Sequence, residues 1–247
     1  MTSLLRCHSD DARPLGARLL EAVRENGYGL ARTSGLADRQ LFALAHRFGA
    51  LWDPKFRMQT VRYDAAFAGR AVAFDRKGLA PHCECAYDTK PPRYVVLYCR
   101  AASRVGGLFF LVPMGDVLAH LRAADRLALR TTEYSMESPR NGITAKRPLL
   151  ARVHGVGDVL LLTPMPPPGT KVIYQLPASS GRGAKSLLRR VADVAADPAL
   201  RLTHRWRPGD VIVVDNTRFL HGREGFEGTG RHLKHLRIGR FTVHGPN

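Results

Sequence analysis

Acidic residues are scarce in this chain: 21 Asp+Glu stand against 38 Lys+Arg, for a formal net charge of +17. Cysteine is scarcer still, at four in 247 residues. That is no disulfide framework, and a reducing cytoplasm is the expected setting. No apolar run approaches the roughly 20 residues that cross a bilayer, so no membrane span is expected. The opening MTSLLRCHSDDARPLG lacks an apolar h-region and carries early acids, against a secretory signal. There is no G-x-S-x-G elbow, which argues against a serine hydrolase. There is no G-x-x-x-x-G-K-S/T and no strand-borne G-x-G-x-x-G, so nucleotide binding of those kinds is not indicated; GRGAK (181–185) reads as a loop entering a helix. Paired C-x2-C knuckles are also missing. Cys83 and Cys85 give only C-x-C, a poor zinc spacing, and on extended backbone both thiols would point away from His82 and Glu84. Packing in the core as small apolar groups is their expected role.

The basic excess is mostly Arg, scattered from Arg6 to Arg240 without a long block. It reads as a solvated Arg-rich surface, as a match for an acidic partner or anionic substrate, or as the electrostatic footprint of nucleic-acid binding. The last is the least supported, because no recognition motif and no interleaved aromatic platform accompany the charge.

Hydrophobic residues make up 45% of the chain, enough for a sizeable core. In ARPLGARLLEAVRENG, Leu15, Leu19, Leu20 and Val23 recur at helical spacing and Gly27 is a stop. LADRQLFALAHRFGAL predicts a second amphipathic helix, with Leu41, Leu44 and Phe48 on one face. Beyond residue 57 short apolar and β-branched runs alternate with turn residues: 58–63, 93–99, 107–112, 158–163, 170–176, 210–215 and 236–243. Such a run of short strands points to a β-sandwich or barrel. Two further helices are predicted, over 115–129 and 184–197, and PMPPPGT (164–170) reads as a rim loop. With no repeat and no clear linker, residues 1–247 are expected to form one β-rich domain, its helical part (1–56) packed on the barrel.

The segment that carries chemistry is PHCECAYDTKPPRYVVLYC (81–99). His82 and Glu84 sit at i and i+2, which share a face on an extended segment. An imidazole beside a carboxylate supplies two members of a 2-His-1-carboxylate triad, which holds Fe(II) by one face and leaves three positions open. The third must come from elsewhere. His221, in RPGDVIVVDNTRFLHGR (207–223) just past an apolar strand, is the candidate. An H-x-E pair alone is common by chance. The weight lies in the joint pattern: H-x-E before PPRYVVLYC and Gly106-Gly107, then WRPGDVIVVDN before the second His, then a His- and Arg-rich strand.

Three stretches, 25–51, 81–107 and 206–239, together resemble the iron(II)/2-oxoglutarate-dependent dioxygenases of the taurine dioxygenase (TauD/TfdA), clavaminate synthase-like superfamily. The resemblance implies a double-stranded β-helix, a jelly-roll barrel that is mainly β with flanking helices. It implies His82, Glu84 and His221 as iron ligands, 2-oxoglutarate as co-substrate and O2 as oxidant. It also implies Arg231, ten residues beyond His221, as the partner of the C5 carboxylate of 2-oxoglutarate, with Arg237 as runner-up if the strand register differs. A guanidinium offers a planar, bidentate fork for that group. Relatives with Glu in the triad favour free or carrier-bound amino acids, so a small amino-acid-like substrate in secondary metabolism is expected, hydroxylated by default. Halogenation is disfavoured, since a halide needs the coordination position that Glu84 fills.

Two departures from the family pattern stand out. Phe109 occupies the position of a Thr that helps hold the co-substrate in a G-G-x-T pattern, and it has no hydroxyl. His235 stands where some relatives carry an Arg for an anionic substrate group, which argues against a sulfonate. Gln59, Arg62 and Asn216 are polar residues near the expected mouth, lined by the early helices, residues 58–75 and loops near 164–183; Asp215-Asn216 also fits a simple turn. An oxygenase of this fold acting on nucleic acid, and a non-catalytic binding barrel, remain as alternatives.

Overall fold

Apolar runs without polar alternation, such as YVVLYC and DVIVVD, need cover on both faces, and the architecture supplies it. The computed structural model describes residues 5–6, 12–67, 74–137, 144–163, 174–175 and 181–243. In chain order the strands are β1 (Leu5–Arg6), β2 (Tyr28–Arg32), β3 (Gln59–Arg62), β4 (Leu79–His82), β5 (Tyr94–Ala101), β6 (Phe109–Pro113), β7 (Glu133–Glu137), β8 (Thr144–Pro148), β9 (Leu150–Val153), β10 (Gly157–Leu160), β11 (Tyr174–Gln175), β12 (Leu202–His204), β13 (Asp210–Asp215), β14 (Phe219–Arg223) and β15 (His232–Ile238). The helices are α1 (Ala12–Asn26), α2 (Asp38–Ala45), α3 (Met114–Ala119), α4 (Ala123–Thr131) and α5 (Gly181–Ala196).

Two sheets face each other. One has the order β1-β2-β13-β5-β15-β3, the other β12-β6-β14-β4. Apart from the parallel β1–β2 pair, neighbouring strands in both run antiparallel. Alternate residues of each central strand enter different cores. Val95, Leu97 and Cys99 of β5 and Ile212 and Val214 of β13 point between the sheets, where they meet Phe109 and Leu111 of β6 and Leu233 of β15. Val96, Tyr98, Val211 and Val213 point the other way, onto Leu15, Leu19 and Val23 of α1 and Leu41 and Leu44 of α2. The four-stranded sheet is treated likewise: Phe110, Val112 and Leu220 pack outward against a core that includes Val117, Leu129 and Leu187 of α3, α4 and α5. Antiparallel sheets with two buried faces make the jelly-roll architecture expected above.

Local signals set many element ends. α1 stops where Gly27 takes φ +81°, a left-handed conformation that favours glycine. Four expectations are corrected. The predicted 115–129 helix is two, α3 and α4, because the chain turns over His120–Arg122. The predicted 236–243 strand lies earlier, as β15, and ends where Gly239 adopts φ +62°. GRGAK is helical from Gly181 rather than a loop. The segment after His82 is a turn rather than extended: β4 ends at His82 and Cys85 takes φ +51°. The strands β1, β4, β7, β8, β9, β12 and β14 match none of the expected runs, being short or broken by polar residues. The rim loop 164–170 and most of 164–183 lie outside the described residues.

Candidate metal centre

Cross-strand pairing brings the distant histidines together. His82, the last residue of β4, is the direct partner of His221 at the middle of β14, and their ring centroids lie 4.3 Å apart. Glu84 reaches the same place from the turn after β4. Its Oε2 is 3.5 Å from His82 Nε2 and 3.4 Å from His221 Nε2. A single ion bonded to all three at roughly 2.1 Å and near-right angles would hold the donor atoms about 3 Å apart; both contacts to Glu84 come within a few tenths of an ångström of that, and all three donors lie within 4.8 Å of one another. All three residues are buried. His82 Nδ1 lies 3.0 Å from Ala80 O. A proton donated there leaves the Nε2 lone pair facing Glu84.

The turn carrying Glu84 is fixed by a residue far along the chain. Asn216 Oδ1 accepts from the Glu84 backbone N–H at 2.8 Å, and its Nδ2 donates to Glu84 O at 3.1 Å and Pro92 O at 2.9 Å. Arg147 of β8 donates to the carbonyls of Ala86 and Asp88 on the same turn. No sequence spacing signals either clasp. Asp215 does shape the next turn, accepting from Thr217 N and Oγ1, whereas Asn216 does more than that. Cys83 is turned into the outer core, but Cys85 Sγ lies 3.7 Å from Glu84 Oε1. The two thiols therefore do not share a face, as extended backbone would have required. Cys83, Cys85 and Cys99 are free and buried.

Glu84 uses its two oxygens differently. Oε2 faces the imidazoles, while Oε1 accepts from Arg237 Nε at 2.5 Å; Arg237 also donates to Gln59 Oε1 at 3.2 Å. Burial alone would raise the Glu84 carboxyl, but the Arg237 guanidinium and the surrounding imidazoles hold it well below the usual carboxylate range. Burial, helped by His82, lowers His221 to about 4. Burial, helped by Arg237, lowers His235 to about 3. These imidazoles are therefore neutral at pH 7, the form that binds metal.

A stability profile follows from those two shifts. Folded pKa values below the unfolded 6.5 mean that the unfolded chain binds more protons between about pH 3 and 6.5, most of the effect lying above pH 4. Stability is full above that window and is lost as the pH falls through it. Metal-free protein is expected to be less stable to urea at pH 5 than at pH 7.5 by about 4 kcal/mol, roughly 2 from each imidazole. His235→Leu should remove about half of this difference, and a flat wild-type profile would contradict the assignment.

The two arginines expected at the co-substrate are in different states. Arg237, the runner-up, is engaged with Glu84 and Gln59. Arg231 is 3% exposed, stacks 5.3 Å over the Phe226 ring, and its Nε and Nη1 have no hydrogen-bond partner among the described residues. Burial, with Arg223 nearby, lowers it to about 9. A buried guanidinium with unmet donors fits a carboxylate ligand. Arg62 is exposed on β3 and takes no part in the cluster.

The profile of the taurine catabolism dioxygenase TauD, TfdA family matches residues 8–237. The chain belongs to this family. Among curated relatives, pentalenolactone F synthase of Streptomyces avermitilis is 29% identical over 109 residues, 41% of this chain and 35% of that protein. Human (Homo sapiens) γ-butyrobetaine dioxygenase is 22% identical over 218 residues, 84% of this chain and 56% of that protein. The chain thus spans about a third to just over half of the length of these relatives. Among solved structures, asparagine oxygenase in complex with Fe(II), 3-hydroxyasparagine and succinate superposes with a TM-score of 0.71 at 21% identity, covering 92% of this chain and 79% of that one. This likeness shows the fold. TauD/TfdA proteins are iron(II)/2-oxoglutarate-dependent dioxygenases, and the donor set here suits both cofactor and co-substrate. The family's Thr position is filled by Phe109, whose ring sits 6.3 Å from that of His221. No helix among the described residues is long and apolar enough to cross a membrane.

Proposed function

We propose that this protein is an iron(II)/2-oxoglutarate-dependent oxygenase that hydroxylates, or otherwise oxidises, a small amino-acid-like substrate in specialised metabolism. His82, Glu84 and His221 are its metal ligands and Arg231 its co-substrate anchor. The observation that carries the reading is the approach of two Nε2 atoms, one from each histidine, to within 3.5 Å of a single Glu84 oxygen, in the same barrel as a buried Arg with unmet donors. Bound iron and 2-oxoglutarate supply oxygen activation coupled to formation of succinate and CO2.

The residues of this chain prepare that chemistry. The ring of His82 is oriented through Ala80 O and that of His221 by its place in β14, so that both Nε2 atoms face one point. Glu84 presents Oε2 alone to that point, because Arg237 holds Oε1. Arg231 fixes the far end of the co-substrate and so orients its keto-acid end. Leu97, Leu111, Val214 and Leu233 keep the interior dry, which strengthens each electrostatic contact.

Asparagine oxygenase among the structural neighbours, and a glutamate rather than an aspartate in the triad, support an amino-acid-like substrate. The net charge of +17 supports docking of an acidic carrier that bears it. Three buried free thiols support a reducing, cytoplasmic setting. The test is release of labelled succinate from 2-oxoglutarate, first without substrate and then over a panel of free and carrier-linked amino acids. Metal-dependent succinate, raised by one member of the panel, is the expected result. No succinate under any condition would sink the reading. Carrier-linked turnover that is indifferent to ionic strength would remove the carrier.

A further inference from the structure

We propose that the indole N–H of Trp206 replaces the missing family hydroxyl and donates to the distal carboxylate of 2-oxoglutarate beside Arg231. This rests on the co-substrate reading above and adds a residue to it. Trp206 is 5% exposed, and its Nε1 has no hydrogen-bond partner among the described residues. A buried indole N–H ordinarily finds an acceptor. The neighbours seen around Trp206 do not supply one. Its ring meets His204 edge-on at 5.2 Å, but His204 Nε2 is engaged with Asp210 Oδ2 at 2.9 Å. On the other side lies Phe109, at 5.5 Å, with no polar atom.

Strand pairing and ring contacts bring Trp206 and Arg231 to one stretch, the Gly-Gly segment and the start of β6. His204 of β12 is the register partner of Phe109 of β6 in an antiparallel pair. Trp206, two residues beyond the end of that pair, packs its ring on Phe109, two residues after Gly107. From the other side, Gly106 bridges to Phe226, and a Cβ added at Gly107 would lie 3.3 Å from Phe226 Cβ. Arg231 stacks on that same Phe226 ring. Indole N–H and guanidinium are donors only, so neither can satisfy the other. Two buried donor-only groups on this one stretch suit an acceptor-only ligand, and with the guanidinium's charge a carboxylate meets both needs. Phe109 then has a role as well: it backs the indole from the strand where relatives carry the hydroxyl.

The test begins with calorimetry of 2-oxoglutarate on the full chain carrying Mn(II) without oxygen. Trp206→Phe keeps an aromatic ring and removes the donor, and should weaken binding by roughly ten-fold or more. Adding Phe109→Thr to that variant should recover much of the loss. A second measurement leaves position 206 intact. The chain has two tryptophans, so Trp52→Phe makes Trp206 the sole indole. Its emission should move on addition of 2-oxoglutarate and stay put with pyruvate, which lacks the distal carboxylate. If the wild type binds 2-oxoglutarate but Trp206→Phe binds it equally well, or the emission does not move, the inference is overturned. If the wild type binds no 2-oxoglutarate at all, the co-substrate reading itself has failed, and that is seen before any substitution is made.

Discussion

Glu84→Gln should lower the unfolding free energy of the metal-free protein by about 3–5 kcal/mol, a large part of the ~5–15 kcal/mol typical of a folded domain. The reason is what the substitution leaves behind. Arg237 and Glu84 side chains are 13% and 10% exposed and 2.5 Å apart; with a neutral amide opposite, the guanidinium stays buried without its counter-charge. Arg237→Met should destabilise comparably, stranding the carboxylate instead. The two variants should separate on adding Mn(II). The ion can neutralise Glu84 in Arg237→Met and restore its melting temperature through linkage. Glu84→Gln has lost a ligand, should bind Mn(II) at least about 100-fold more weakly, and should not be rescued. Melts with and without Mn(II) check both outcomes. Rescue of both variants would show that Glu84 is not a ligand. Rescue of neither would show that the pair is purely structural.

Arg231→Met is expected to move stability and binding in opposite directions. In the free protein Arg231 carries buried donors without partners, so an apolar chain of similar length should stabilise the fold by about 1–2 kcal/mol, even after loss of the stacking on Phe226. Affinity for 2-oxoglutarate should fall by roughly 100-fold or more, since a charge-assisted bidentate contact is lost. Arg231→Lys should recover only part of it, because an ammonium lacks the planar fork. Urea unfolding and calorimetry on the same preparations read both effects. A destabilised Arg231→Met that still binds 2-oxoglutarate would make Arg231 a structural residue.

The parts that were legible in the sequence are those with a local cause. Helices α1 and α2 were readable because Leu15, Leu19, Val23, Leu41 and Leu44 repeat at helical spacing, and all are buried. The central strands were readable because a sheet covered on both faces needs unbroken apolar runs. The grouping of His82, Glu84 and His221 came from motif spacing plus resemblance, although the reason given for the first pair was incomplete. Extended backbone would have placed Cys85 opposite His82, whereas the chain turns at Glu84 and brings that thiol close to the carboxylate. The break between α3 and α4 was missed because an amphipathic pattern continues across it.

The sequence by itself determined which residues could bind a metal and which strands would be buried, because residue type and period are properties of short segments. Only the tertiary structure decided the different surroundings of the two arginines. Arg231 and Arg237 are six residues apart on one strand path, and nothing local tells them apart. Folding sets Arg237 against Glu84 and leaves Arg231 over Phe226 with donors unmet. The same holds for Asn216 and Trp206. Their hydrogen-bonding states depend on which other segments close around them, and the desolvation that makes an unmet donor costly exists only once those segments have packed.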